Sequence, residues 1–158
     1  MKDKPTLDTT TPLPENQSPI DGSFPEQKPR KFDTLRELIL SLVPEAKRMK
    51  LYEEAFTHSS YSNEHRDSSS YERLEFLGDG VLDLVVGDLV FRAHKKYTPG
   101  KLSKLRSSIV EGRNLTEIAI KLGFAPYVKF SNGEKKNAQY HGHIFEDVFE
   151  SFIGAMYL

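Results

Sequence analysis

The sequence predicts an all-α domain behind an unstructured N-terminal tail. Three observations point there. From residue 33 onward, apolar residues recur at spacings of three and four, the period of a helix. Pro and Gly punctuate these runs and mark where helices stop. No two runs alternate apolar and polar residues in a way that would pair as strands.

The tail comes first in the chain. Residues 1–31 hold six of the nine prolines, and their acidic and basic residues balance. Leu7, Leu13, Ile20 and Phe24 are spaced singly, too sparse to bury a surface that would order the segment. A folded domain is therefore expected over 32–158. DTLRELILSLV (33–43) reads as the first helix, with Asp33 as N-cap and Leu35, Leu38, Ile39 and Leu42 as its apolar stripe; Pro44 ends it. A second helix is expected over about 45–56 and is followed by a polar loop, NEHRDSSS. A long helix should run from about 71 to 95, until YTPG (97–100) breaks it. KLSKLRSSIV begins the next, with Leu102, Leu105 and Ile109 turned inward. Gly112 interrupts that helix, and Asn114 with Glu117 resembles a capping pair opening LTEIAIKL. FAPYVKFSNGEKKNAQYHG is rich in turn residues, with YVKF as a short strand or extended piece, and HIFEDVFESFIGAMYL is the final helix.

Composition narrows the chemistry. A chain of 158 residues, 37% hydrophobic and 28% charged, is suited to one domain with its own core. It has no run of about 18 apolar residues, so no membrane span is expected, and its first residues lack the apolar stretch of a secretory signal. The absence of cysteine removes disulfides, thiolate metal sites and thiol nucleophiles, and fits a cytoplasmic setting. A net charge of −1 gives no general attraction to polyanions, so any nucleic-acid contact must come from local patches or a bound cation.

The acids are unevenly placed. In YERLEFLGDGVL (71–82) and the residues after it, Glu72, Glu75, Asp79 and Asp83 fall within a helical sector of about 80°. Leu74, Leu77, Val81, Leu84 and Val85 take the other side as expected core. On the last helix, Asp147 and Glu150 share a face with Ser151 and Gly154, while Phe145, Val148, Phe149, Phe152 and Met156 cover the other. Gly154, one turn past Glu150, permits close approach of a backbone or a ligand. An acidic face is by default a solvated one. Here both stripes lack lysine, and both helices are otherwise so apolar that burial is required. If the two faces meet, four carboxylates converge, which opposes folding unless a divalent cation neutralises them. Oxygen donors without His or Cys suit Mg²⁺ or Mn²⁺. A di-iron bundle would need Glu-x-x-His, and none of the five histidines has Glu three positions before it.

YERLEFLGDGVL resembles the signature of the ribonuclease III family. THSSY (57–61), GKLSKLRSSIV and IFEDVFESFIGAMYL resemble its flanking segments, in order, so that the likeness runs from about residue 33 to 158. The resemblance implies the family's helical endonuclease fold and an Mg²⁺ site formed by Glu75, Asp79, Asp147 and Glu150. It ties Asp79 and Glu150 most directly to catalysis and leaves Glu72 as a supporting acid. Asp83 matches no family position and is read as surface. The implied reaction is hydrolysis of double-stranded RNA to 5′-phosphate and 3′-hydroxyl ends, in rRNA and mRNA maturation and decay. The implied assembly is a homodimer in which Phe76, an aromatic beside the acidic stripe, enters a socket on the partner. Lys101, Lys104 and Arg106 are the candidate RNA contacts, with weaker claims for His65 and Arg66. His58 reads as a structural hydrogen-bonding residue and HGH (141–143) as surface.

The likeness has departures. Gly80 stands where a small residue such as Ala is usual, and Pro99 where many members carry an acid. Bacterial members continue past the position of Leu158 with further helices and an RNA-binding domain, so the chain reads as either a truncated product or a minimal catalytic domain. Two other functions compete with the endoribonuclease: a catalytically idle RNA- or ribosome-binding relative, and an all-α nucleotide pyrophosphohydrolase.

Overall fold

The computed structural model describes residues 31–134 and 143–158. The expected tail, apart from Lys31, and His141 and Gly142 of the HGH stretch lie outside the described residues. In chain order the helices are α1 (Leu35–Leu42), α2 (Met49–Ala55), α3 (Ser59–Glu64), α4 (Glu72–Ala93), α5 (Pro99–Ile109), α6 (Gly112–Leu122) and α7 (Ile144–Tyr157), with a 3₁₀ turn at Ala125–Tyr127. Among the described residues there is no β-strand, and the domain is all-α. Tyr127 of the YVKF stretch closes the 3₁₀ turn, Val128 is extended, and Lys129 makes one isolated bridge, to Thr57.

Local chemistry sets the helix ends. Thr34, not Asp33, caps α1: its Oγ1 accepts from the Glu37 amide at 3.2 Å, and Glu37 Oε2 accepts in return from the Asp33 amide at 2.9 Å. Thr98 caps α5 with Pro99 in the first turn, where a missing N–H has no helical partner to lose. The expected Asn114 cap does not form. α6 begins three residues earlier, at Gly112, and the Asn114 side-chain Nδ2 donates instead to the Ser108 carbonyl at 2.6 Å, tying off the end of α5. Gly123 ends α6 in the left-handed region at φ 82°, open to glycine at little strain. The stretch SSYSNE forms α3, a helix absent from the sequence-based expectation. His58 opens it by accepting from the Ser60 amide through Nδ1 at 3.1 Å.

α7 is the axis of the domain and packs against α2, α4 and α6. Ile144, Phe145, Val148, Phe149, Phe152 and Ala155 are all buried, and Phe124 fits edge-on against Phe152 and Phe56 at 5.1 and 4.9 Å. Met156 is not core; it lies at the exposed end of the helix. Ser151 is wholly buried, with its hydroxyl donating to the Ala55 carbonyl of α2 at 2.8 Å, so it belongs to a packed seam and not to the acidic face.

α4 outgrows its partner. Its 22 residues span about 33 Å against about 21 Å for the 14 residues of α7. Leu74 is buried and Leu77 and Val81 are half-buried, but Leu84 and Val85, expected in the core, are 73% and 49% exposed. With Phe76, Leu89 and Phe91 they leave a large apolar surface on one helix. Ile109 at the end of α5 is likewise exposed rather than inward.

Candidate active site

The site exists because two glycines let α4 and α7 touch backbone to backbone. A Cβ at Gly78 would overlap the Glu150 carbonyl, and one at Gly154 would overlap the Leu74 carbonyl. Sequence reasoning allowed for a close approach at Gly154 but missed Gly78. Gly78 immediately precedes Asp79 in the chain, and its Cα faces the backbone of Glu150. The crossing therefore sets the acids of α4 against the acids of α7.

Electrostatics records that arrangement. Burial first, and then the charges of Asp147, Glu72, Glu146 and Asp79, push the Glu75 carboxyl up to about 7. Burial and the charges of Asp79, Glu146, Glu75 and Asp147 push Glu150 up to about 8. Burial also raises Asp147, against the opposing pull of the Tyr71 hydroxyl and the rings of His143 and His58. The four predicted acids are thus brought into one field, with Glu72 at its exposed edge, where it accepts from the Ser70 hydroxyl at 3.2 Å. Among the described residues, the ion pairs of Lys and Arg go to Asp83, Asp88 and Glu117 and not to these acids.

Sequence reasoning missed two members. Glu146 acts on both Glu75 and Glu150, and its carboxylate packs against the Cα of Gly112, in the first turn of α6, with His143 Nδ1 at 3.5 Å. The helix N-terminus favours a negative charge there. On the helical wheel Glu146 lies about 100° from Asp147, outside the stripe; the one available signal was a helix beginning at Gly112. Tyr71 is the second. It is 4% exposed, and its hydroxyl donates to Asp147 Oδ2 at 3.0 Å.

Phe76 is 84% exposed. Lys101 and Lys104 are exposed on α5, with the Lys101 ammonium 5.7 Å from the Tyr97 ring centroid. Arg106 is engaged in holding α5 to α4, its Nε 3.5 Å from Asp83 Oδ1. His58 sits between the rings of Tyr71 and Phe130 at 5.8 and 5.4 Å, a packing position. His65 and Arg66 are exposed, and the His65 ring stacks on Tyr61 at 4.0 Å.

Could these residues hold a divalent cation? Among the described residues, no three His, Cys, Asp or Glu side chains already stand in ion-holding geometry. The donor set nevertheless fits a hard ion. It is all carboxylate, with Glu75, Asp147 and Glu150 half-buried and Asp79 exposed, and burial together with the neighbouring acids pushes Glu75 and Glu150 upward, a repulsion that a cation would relieve.

An all-helical domain with carboxylates gathered from two crossing helices is a recognisable class of site. The family model described as Ribonuclease-III-like matches residues 48–158. The chain is 50% identical over 112 residues to Ribonuclease 3 of Lactobacillus acidophilus, covering 69% of this chain and 49% of that relative. It is 42% identical over 132 residues to Ribonuclease 3 of Streptococcus equi subsp. zooepidemicus, covering 82% and 56%. Among solved structures, the nuclease domain of ribonuclease III from Campylobacter jejuni superposes with a TM-score of 0.71 at 38% identity, over 78% of this chain and 85% of that one. Dicer from Pichia stipitis gives 0.51 at 32% identity, over 72% and 46%. The chain belongs to the ribonuclease III family. It spans about half the length of the curated relatives it matches.

Proposed function

We propose that this chain is a metal-dependent endoribonuclease domain that hydrolyses phosphodiesters of double-stranded RNA to 5′-phosphate and 3′-hydroxyl ends. The observation that carries the reading is the cluster itself: the Gly78–Gly154 crossing sets the acids of α4 against those of α7, and Glu75 and Glu150 are both pushed upward, by burial first and then by the surrounding carboxylates, in a cleft where no described Lys or Arg pairs with them. Such a cluster opposes folding unless it is used. Glu75, Asp79, Asp147 and Glu150 would hold Mg²⁺, with Mn²⁺ as a substitute. When bound, that ion supplies an activated water and offsets charge on the phosphate oxygens. Asp79 and Glu150 face the reacting group, and Glu72 keeps the cleft rim negative. Lys101 and Lys104 take the larger share of phosphate contact, because Arg106 is already engaged with Asp83.

We also propose a homodimer. Phe76, Leu84 and Phe91 are 84%, 73% and 67% exposed on one side of α4, an apolar face of the kind that marks an interaction surface. The related Campylobacter jejuni nuclease domain is described by flexibility in a region involved in dimer formation. No described helix is long and apolar enough to cross a membrane. We place the protein in the cytoplasm, in rRNA and mRNA maturation and decay.

The test is cleavage of double-stranded RNA, with a nucleoside triphosphate in parallel, each in Mg²⁺ or Ca²⁺. Cleavage of RNA in Mg²⁺ alone is expected. Glu150→Gln should lower the rate by several powers of ten, each about 1.4 kcal/mol of barrier, while RNA binding persists. Asp83→Asn removes only a half-exposed pair with Arg106 and should cleave nearly as the parent does. RNA binding without cleavage would make the chain an idle relative, and hydrolysis of the triphosphate would make it a pyrophosphohydrolase.

A further inference from the structure

Tyr71 occupies an unusual junction. Its amide donates to the Thr57 carbonyl at 3.0 Å, it opens α4, and its hydroxyl crosses to Asp147 Oδ2 on α7 at 3.0 Å. The ring is 4% exposed and abuts the His58 ring at 5.8 Å. Its other anchor, Thr57, is itself buried, with the hydroxyl donating to the Glu53 carbonyl at 2.6 Å. The phenol is therefore held from three sides and has little freedom to follow Asp147 if that carboxylate turns. Nothing in the proposed chemistry uses this hydroxyl directly.

We propose that Tyr71 is a positioning residue for the cation site: its hydroxyl engages one oxygen of Asp147, fixes the plane of the carboxylate and leaves Oδ1 as the oxygen offered to an ion. The inference rests on the reading of the cleft as a divalent-cation site. A neutral donor suits the task. A Lys or Arg in its place would fix Asp147 equally well but cancel the charge that attracts the ion, whereas a phenol orients the carboxylate and leaves its charge intact. An ordinary phenol is protonated at neutral pH and so donates. Asp147 thereby presents a single defined oxygen in a cleft where the other acids repel one another and would otherwise spread.

The experiment is Mn²⁺ titration by calorimetry on the whole chain, comparing the parent with Tyr71→Phe and Tyr52→Phe. Phenylalanine keeps the buried ring at either position. Tyr52 is equally buried but packs on Phe152 and is absent from the interactions of the acids. Tyr71→Phe is expected to weaken Mn²⁺ binding about tenfold, Tyr52→Phe less than about twofold, with cleavage by Tyr71→Phe recovering as Mg²⁺ is raised. Unchanged affinity in Tyr71→Phe, or equal losses in both variants, overturns the proposal. If the parent itself binds no Mn²⁺, the cation reading of the cleft fails and this inference with it. Should Tyr71→Phe give no cooperative melt, 3-fluorotyrosine at position 71 decides, since it keeps the hydroxyl. Its fluorine resonance must move along the Mg²⁺ binding curve, and a resonance that stays fixed refutes the coupling.

Discussion

Glu150→Gln separates the folding penalty of the carboxylate cluster from its use. In the folded chain the Glu150 carboxyl is raised from 4.5 to about 8, by burial first and then by Asp79, Glu146, Glu75 and Asp147. A raised carboxyl has the opposite sign to a salt-bridged one. Between the two values the folded state binds more protons than the unfolded state, so stability falls as pH rises through that window, by at most about 1.4 kcal/mol per pH unit. Below about pH 4.5 both states are protonated and the penalty vanishes; above about pH 8 it is complete. The whole interval sets a ceiling of about 5 kcal/mol. The side chain keeps part of its surface in water, and the same repulsion also lifts Glu75 to about 7, so about 1–2 kcal/mol is expected from Glu150 alone. Glutamine keeps the shape and removes the charge. In chelator, the variant should melt about 3–6 °C above the parent at pH 8 and within about 1 °C of it at pH 4.5. Added Mg²⁺ should narrow the gap, because it stabilises the parent more. Scanning calorimetry across this range is the assay. A variant no more stable than the parent at pH 8, or equally stabilised at both ends, would refute the electrostatic reasoning.

Two further outcomes follow from the same helices. Gly78→Ala drives a methyl into the Glu150 carbonyl, and should cost more than about 3 kcal/mol. Gly80→Ala, two residues on, meets nothing within 4 Å and should raise stability by about 0.5–1 kcal/mol; denaturant melts of the pair check both, and equal effects would contradict the backbone contact. Phe76→Ala should lose about 2–4 kcal/mol of dimer affinity without a change in fold. Sedimentation checks it, and a parent chain that stays monomeric at high concentration would remove the docking role.

What the sequence reveals about α7 and what it hides about α4 have one cause. α7 is buried nearly all round, so its aromatic face and its two acids are legible from periodicity alone. Its helix–helix seam, however, depends on small residues, and Ser151 looks polar by composition although it is sealed against α2. α4 carries apolar residues on most of its circumference, and a periodicity argument must divide them into core and surface without knowing what covers them. Periodicity puts Leu84 and Val85 in the core only on the premise that an apolar residue faces its own domain. The structure gives α4 too little neighbour for that, since α7 is a third shorter, and so the surplus lies on the surface. Tyr71 and Glu146 stayed hidden for a different reason. Their roles lie in contacts between segments more than thirty residues apart, with Asp147 and with the start of α6, and one helical wheel contains neither partner. The acidic stripe was visible because it is a property of single helices. The polar bond that orients one of its members belongs to the packed domain, which is why a test of Tyr71 reads out tertiary structure where a test of Glu150 reads out the sequence pattern itself.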